Sequence, residues 1–302
     1  MSPLVATVEV RSRQRLSPSY VRVELGGPEL AEFGVEGPLY DQRIKLLLPG
    51  PSGLPRLGAE SWWTDWCALP EEARGHVRTY TVREVRGSGE DTRLVVDLVL
   101  HPGAHGPGSS WAAAAAVGDR IVVVGPRRGV DFGGIEFAPG DAERLLLAGD
   151  ETAVPAMAAI LSLLPAHARG AAFLEVPVGR DVAPLRAPRG VAVNWLPRGE
   201  APLGARLSAA VLAHLGGGAA ATDSADSADS AEEVDPDLWE TPSYSSSGEP
   251  LTPGRRDGLY AWVAGESRVV TGLRRALVSD LGLNRSQVAF MGYWREGVAM
   301  RG

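Results

Sequence analysis

A change of rhythm near residue 139 divides this chain. Ahead of it, short runs rich in Val, Leu and Ile occupy 4–10, 20–25, 42–48, 76–85, 93–100 and 119–124. Turn residues such as Gly26-Gly27-Pro28, Pro49-Gly50-Pro51 and Gly87-Ser88-Gly89 separate them, which marks them as strands. Six such strands predict a small antiparallel barrel over 1–138. Beyond 139, Arg144-Leu145-Leu146-Leu147-Ala148-Gly149 reads as a strand buried on both faces. A helix is expected over 153–164, with Val154, Met157, Ile160, Leu161 and Leu164 at helical spacing. Further strands are expected at 171–178, 191–196, 259–264 and 288–293, and helices at 204–215 and 268–281. Ser267 would cap the last helix and Gly282 end it. Such alternation predicts a five-stranded parallel sheet over 139–302, wound with helices on both faces. At 302 residues, two domains are the natural reading.

One stretch breaks the second pattern. Residues 216–258 carry Gly-Gly-Gly, Ala-Asp-Ser repeats and Ser-Ser-Ser, with ten acidic residues against two basic ones. That composition cannot bury enough surface to order itself, so a disordered insertion is expected there. It also carries the net charge of −7; the rest of the chain is nearly neutral. The acidity is therefore local, and nucleic-acid binding is not expected. Cys67 is the single cysteine, which excludes a disulfide framework and a thiolate metal cage. The five histidines lack metal-ligand spacing, so no permanent metal is expected. The start lacks a signal-peptide pattern, and no apolar run reaches 18 residues. A cytoplasmic protein without membrane insertion is the expectation.

The run Arg78-Thr79-Tyr80-Thr81-Val82-Arg83 gathers cations, a flat aromatic and hydroxyls in one expected strand. Alternation places Arg78 and Tyr80 on one face and Thr79, Thr81 and Arg83 on the other. Arg can fork onto phosphate oxygens, Tyr can stack on a ring, and Thr can bond the ring edge. The same run also reads as an ordinary amphipathic strand with solvated arginines. Three more places invite a ligand. The turn from His101 through Gly106, Gly108, Ser109 and Ser110 to Trp111 opens an alanine-rich helix, with Ser109 or Ser110 as its cap. A helix start there offers an anion site, or no more than a capped loop. In the parallel sheet, strand order 3-2-1-4-5 would put a ligand where strands one and four meet. The loops there are Gly149-Asp150-Glu151-Thr152 and Ala264-Gly265-Glu266-Ser267, whose acids could equally serve only the helix dipoles. Finally, Trp62, Trp63 and Trp66 form either a lid or a cover for one barrel end.

Taken together, these residues resemble the siderophore-interacting protein family, a branch of the ferredoxin-reductase-like flavoproteins. The marks are Arg78-x-Tyr80-Thr81-x-Arg83, Gly106-Pro107-Gly108-Ser109-Ser110-Trp111-Ala112, Gly149-Asp150-Glu151-Thr152-Ala153-Val154-Pro155-Ala156, Ala264-Gly265-Glu266 and Gly292-Tyr293-Trp294-Arg295-Glu296-Gly297. They occur in the family's order and cover the chain apart from 216–258.

The resemblance implies an FAD-binding barrel followed by an NAD(P)H-binding α/β domain. Arg78 would hold FAD phosphate, Tyr80 would pack on the flavin, and Thr81, with Val82 beside it, would bond near the ring. His101 and the 106–111 turn would cradle the pyrophosphate and adenosine. Asp150, Glu151, Thr152 and Ala153, with Gly265 and Glu266, would line the nucleotide site for NADPH or NADH. The implied activity is electron transfer from NAD(P)H through FAD to a ferric siderophore, releasing ferrous iron. No acid, base or nucleophile is needed, since the flavin carries the chemistry. Lys45, Arg127, Trp294 and Arg295 are candidates to dock the anionic iron complex. Two alternatives remain: an NAD(P)H:flavin-type reductase for another acceptor, and a flavin electron carrier fed by a ferredoxin-like partner. A monomer is expected.

Overall fold

A computed structural model of the chain describes residues 2–101, 106–216, 239–242, 244–245 and 258–298. It comprises two compact units, the first built chiefly on residues up to Ile135 and the second chiefly on the chain from Glu136, with Ala158–Leu163 grouped with the first.

The first unit contains β1 (Leu4–Arg15), β2 (Tyr20–Gly26), β3 (Arg43–Leu48), α1 (Trp62–Ala68), α2 (Glu71–Arg74), β4 (His76–Thr81), β5 (Glu84–Arg86), β6 (Arg93–Val99), α3 (Pro107–Ala114) and β7 (Arg120–Gly125). The strands form one antiparallel sheet in the order β4-β3-β7-β1-β2-β6-β5. The sheet thus has seven strands where six were expected. The extra strand comes from a break in the expected strand 76–85 at Val82-Arg83. There the Val82 N–H donates to Gln42 O and the Arg83 N–H donates to Val95 O. β4 and β5 are the two edges of the sheet, yet only two residues lie between them. The sheet must therefore curl until its edges nearly meet. β-Branched propensity runs unbroken through Thr81-Val82, so nothing local announced the break.

Alternation fills the interior. Leu4, Ala6, Val8 and Val10 of β1 point inward with Val21, Val23, Leu25, Ile44, Leu46, Leu94, Val96, Leu98, Ile121 and Val123. Burying each such side chain stabilises the barrel by about 1.5–3 kcal/mol. On the outer face, Leu47, Val77, Val122 and Val124 form a second cluster, covered by Leu54, Leu57, Trp62, Trp66 and Phe132. The tryptophan segment is therefore a helix lying on the barrel wall. Trp66 Nε1 donates to Arg74 O at 2.7 Å, and the Arg74 guanidinium lies 5.4 Å from the Trp66 ring centre.

The second unit contains β8 (Arg144–Gly149), α4 (Val154–Leu163), β9 (Arg169–Val176), β10 (Gly190–Pro197), α5 (Ala205–His214), β11 (Trp239–Thr241), β12 (Tyr244–Ser245), β13 (Leu259–Glu266), α6 (Ser267–Arg274) and β14 (Val288–Trp294). The parallel part runs β10-β9-β8-β13-β14, which is the expected 3-2-1-4-5 order. One face packs Leu146, Ala148, Ala171, Phe173, Val263 and Phe290 against Leu207 and Val211 of α5 and Val270 and Leu273 of α6.

Two expectations need correction here. The sheet is mixed, because β11 pairs antiparallel with β14 and β12 pairs with β11. That hairpin arises inside 216–258, where no order was expected. It is held by distant partners: Trp239 stacks on Tyr293 at 6.1 Å, and Arg274 Nε donates to Glu240 at 2.6 Å. The expectation for 217–238, 243 and 246–257 lies outside the described residues. The cap of α6 is Glu266, whose Oε2 accepts from Arg268 N and Val269 N, while Ser267 Oγ donates to Trp294 O. A carboxylate at a helix start gains from the dipole as well as from the bonds. Beyond Arg274 the helix widens into a π-helical turn, Arg275–Asp280, before Gly282.

Candidate functional site

Within the first unit, β4 and α3 bring Arg78, Tyr80 and Gly108 together. Arg78 and Tyr80 pair across the ladder with Leu46 and Ile44, which places them on the inward face, as alternation required. Gly108 lies in the first turn of α3. A Cβ built there would come 2.3 Å from the Tyr80 hydroxyl and 3.8 Å from Arg78 Cγ. Glycine is therefore the residue that lets the start of α3 close on this strand. The helix begins earlier than expected. Gly106 stands at the cap position with no side-chain bond, and Pro107, with its preset φ, opens the helix. Ser109 and Ser110 are consequently inside it, and Ser109 Oγ accepts from His101 N at 3.3 Å. That bond draws His101 to the same helix start. Trp111 packs at the edge of the barrel core.

The electrostatics of this cluster point outward to a ligand. Burial pushes the Tyr80 phenol up to about 12, against the opposing pull of Arg78, so it stays a neutral aromatic donor. Burial also holds the Arg78 guanidinium below its ordinary value. Among the described residues Arg78 has no carboxylate partner; its Nη1 donates to Val77 O at 2.6 Å. A half-buried guanidinium, an aromatic ring and a helix start meet here. That donor set fits a phosphate attached to a flat ring.

The other face of β4 carries the remaining candidates. Thr81 is buried and pairs with Arg43; Thr79 pairs with Lys45. Lys45 Nζ donates to Thr79 Oγ1 at 2.8 Å. Burial, and next the Arg43 charge, lower the Lys45 ammonium from its ordinary value. Arg43, Ile44, Lys45, Thr79, Phe132 and Gly134 line an open cavity of about 160 Å³. Arg127 does not line it and is tied to Glu32 at 3.0 Å. Val82 belongs to the barrel core and does not line this cavity.

In the second unit, the loops expected at the switch point do meet, but their acids are taken up by the fold. Asp150 Oδ1 accepts from the Thr152 N–H and hydroxyl, and Oδ2 from Glu266 N at 2.7 Å and Trp294 Nε1 at 2.8 Å. One carboxylate thus ties together the ends of β8, β13 and β14. Burial, and then the Glu151 charge, raise Asp150 to about 6, with the bonds from Thr152 and Trp294 opposing. Glu151 receives both terminal nitrogens of Arg198 at 3.0 Å, and Arg198 also reaches Glu175 at 3.1 Å. Burial alone would lower the Arg198 value, but these two carboxylates raise it. Glu175, fully buried, further accepts from Gly204 N and Leu207 N at the start of α5. The N–H groups of Ala153 and Val154 donate to Asp150 O. Gly265 has φ +145, and a Cβ there would strike the Asp150 carboxylate at 2.6 Å. The smaller reading of these acids, as supports for helix starts, therefore describes Glu266 well, and Glu175 does the same for α5. Sequence reasoning missed Arg198 and Glu175. The only signal was that buried acids need a cation, and Arg198 is the residue that follows β10. Trp294 is committed to Asp150, and Arg295 forms a bridge with Val298.

The wider comparisons agree with these two units. Residues 9–130 match the siderophore-interacting FAD-binding domain, and residues 142–297 match the family described as siderophore-interacting protein. An uncharacterised protein of Mycobacterium tuberculosis is 40% identical over 193 residues, 63% of this chain; the chain spans 64% of that relative's length. A ferric vibriobactin reductase of Vibrio cholerae is 27% identical over 291 residues, 94% of this chain and 87% of the relative. A siderophore utilisation protein from T. fusca has a solved structure that superposes with a TM-score of 0.69 at 28% identity, covering 99% of this chain and 95% of that one. Among the described residues no helix is long and apolar enough to cross a membrane. On the family matches to both units, with the strand motif and the glycine-tightened helix start that carry them, the chain belongs to the siderophore-interacting protein family.

Proposed function

We propose that this chain is a flavin-dependent reductase that passes electrons from NAD(P)H through FAD to ferric siderophores and releases ferrous iron. The observation that carries it is the half-buried Arg78 guanidinium beside Tyr80 and the close approach of Gly108. FAD, when bound, supplies the change from two-electron to one-electron chemistry. The protein's own groups do the rest. Arg78 and the start of α3 bind phosphate, Tyr80 offers a ring face, and Thr81 lies on the far side of the same strand. Lys45 and Arg43 make the neighbouring cavity attractive to an anionic iron complex. Arg127, held by Glu32, is the weaker candidate for that docking; in the second unit, Trp294, bonded to Asp150, and Arg295 are separate candidates.

The acids of the second unit bear on the nucleotide. Their side chains, and the N–H groups of Thr152, Ala153 and Glu266, are engaged within the protein, so NADPH or NADH at the 150–153 and 265–266 loops would meet few free donors. The electron-carrier alternative, with a ferredoxin-like donor, follows from the same observation. Anaerobic mixing of the flavin-loaded protein with NADPH, NADH or reduced ferredoxin separates the two. Flavin bleaching by a nucleotide within seconds, followed by ferrous iron release from a ferric siderophore, supports the reductase. Bleaching by ferredoxin alone would replace it with the carrier.

A further inference from the structure

The helix α3 is lightly held for the place it occupies. Its start closes on Tyr80 and Arg78 through Gly108, yet only Gly108 and Ala112 of its 8 residues are buried, and Gly106 caps it without a side-chain bond. At its end, Trp111 O accepts from Ala115 N at 2.7 Å, but the next amide, Ala116 N, turns away to Asp119 Oδ2 at 2.8 Å. The carbonyls of Ala112 and Ala113 are thereby left without a partner from the helix itself. Both are met by one side chain from the far end of β1. Arg13 Nε and Nη2 donate to Ala112 O at 3.4 and 3.3 Å, and Nη2 donates to Ala113 O at 3.0 Å. A guanidinium at a helix C-terminus also complements the dipole.

Arg13 reaches α3 because β1 carries a bulge. Leu4, Ala6, Val8 and Val10 face inward, so strict alternation would send Arg13 outward with Glu9 and Arg11. The register with β2 slips instead: Val10 lies opposite Leu25 and Ser12 opposite Glu24, which makes Arg11 the extra residue. Beyond it the parity reverses, and Arg13 lies opposite Val23, a residue of the barrel core. Opposed residues of an antiparallel pair share a face, so the bulge re-aims Arg13 to the inner side. Gly26 leaves room for the bulge, since a Cβ there would come within 2.8 Å of Arg11 Cγ.

We propose that Arg13 is a positioning residue of the flavin site: from the far end of α3 it holds the helix start against Tyr80 and Arg78, with the start's amides aimed at the cofactor's phosphates. This inference rests on the flavin reading given above. A helix of this length is marginal by itself. The fraction of molecules with α3 docked therefore sets the apparent affinity for the phosphate part of FAD. Tyr80 and Thr81 belong to the sheet, so the contacts they offer the ring do not depend on Arg13.

The test uses Arg13→Ala, with Arg13→Lys as the variant that keeps a cation at the helix end. FAD binding to the flavin-free protein is measured by fluorescence, and ADP and riboflavin are measured as competitors, one carrying the diphosphate and the other the ring. Arg13→Ala should weaken FAD and ADP by about three- to tenfold and leave riboflavin unchanged. Arg13→Lys should recover most of the loss. Hydrogen exchange at the amides of 111–115 in the flavin-free protein should quicken in Arg13→Ala. Unchanged FAD and ADP affinity would overturn the proposal, and so would an equal loss for ADP and riboflavin, which would make Arg13 a support of the whole barrel. A lysine no better than alanine would overturn anchoring by charge. If the parent itself binds neither FAD nor ADP, the flavin reading falls, and the role of Arg13 falls with it.

Discussion

The two units treat buried charge in opposite ways. In the barrel, Arg78 is half-buried and among the described residues has no carboxylate partner, its Nη1 donating to the Val77 carbonyl. At the parallel sheet's switch point, Asp150, Glu151, Glu175 and Glu266 are buried and each is bonded within the protein. A buried ion without a protein partner is costly, so it persists where a ligand completes it. Buried ions that are fully partnered hold elements together. The comparison teaches that a charged residue in a motif is read better by what faces it than by its sign.

The largest effect should come from breaking the closed region. Asp150→Ala removes the acceptor for four donors at the ends of three strands, and should cost about 3–5 kcal/mol of stability. Chemical denaturation followed by circular dichroism measures it. A loss below 1 kcal/mol would mean that the switch point does not depend on this carboxylate. Next comes the open region. Gly108→Val places a branched side chain against the Tyr80 hydroxyl, so α3 must draw back from β4; flavin retention should fall more than tenfold, with some loss of stability. Gel filtration of the flavin-loaded variant reads this directly. Arg78→Ala should lose one charge-assisted phosphate contact, about 1.5–3 kcal/mol, and weaken flavin retention about tenfold or more. Its melting temperature without flavin should fall little, since the protein bond abandoned is the one to the Val77 carbonyl. Full flavin occupancy at micromolar concentration would remove Arg78 from the site.

A smaller effect follows from pH. The Asp150 carboxyl is raised to about 6, above its unfolded value near 4. Its contribution to stability is therefore present below pH ~4 and is lost as pH rises through about 6, by on the order of 2 kcal/mol. Asp150→Asn should flatten that part of the stability profile. An unchanged slope between pH 4 and 6 would show that another group titrates there. The smallest effect is Glu266→Gln, which keeps an acceptor for α6 but removes the charge at its start. It should cost about 0.5–1 kcal/mol, with the flavin site untouched.

How far the sequence reveals all this depends on the range of the forces. The strands and helices and the facing of Arg78 and Tyr80 follow from periodicity, which is local, and the 3-2-1-4-5 order follows from the way alternating strands and helices wind. So does the meeting of the 150 and 265 loops. The break at Val82-Arg83 was hidden because closure of a ring is not a local property. The hairpin Trp239–Ser245 was hidden because its partners, Tyr293 and Arg274, lie far along the chain. Glu266 replaced Ser267 as the cap because a carboxylate can reach two amides at once and still accept from Glu296 N. For the site, residue types were legible and their commitments were not. Nothing in Asp150-Glu151 tells that Arg198 and Trp294 will claim them.

The two amides at Val82 and Arg83 act as a clasp. One fastens back to Gln42 and the other forward to Val95, so neighbouring residues grip opposite rims of the same curled sheet. Sliding β4 by one position would undo both grips at once. It would also turn Thr79 and Thr81 inward and swing Arg78 and Tyr80 out, away from Gly108. The clasp therefore indexes the motif. It counts the strand into place, and the ligand-facing side chains inherit their direction from two backbone bonds that never touch the ligand.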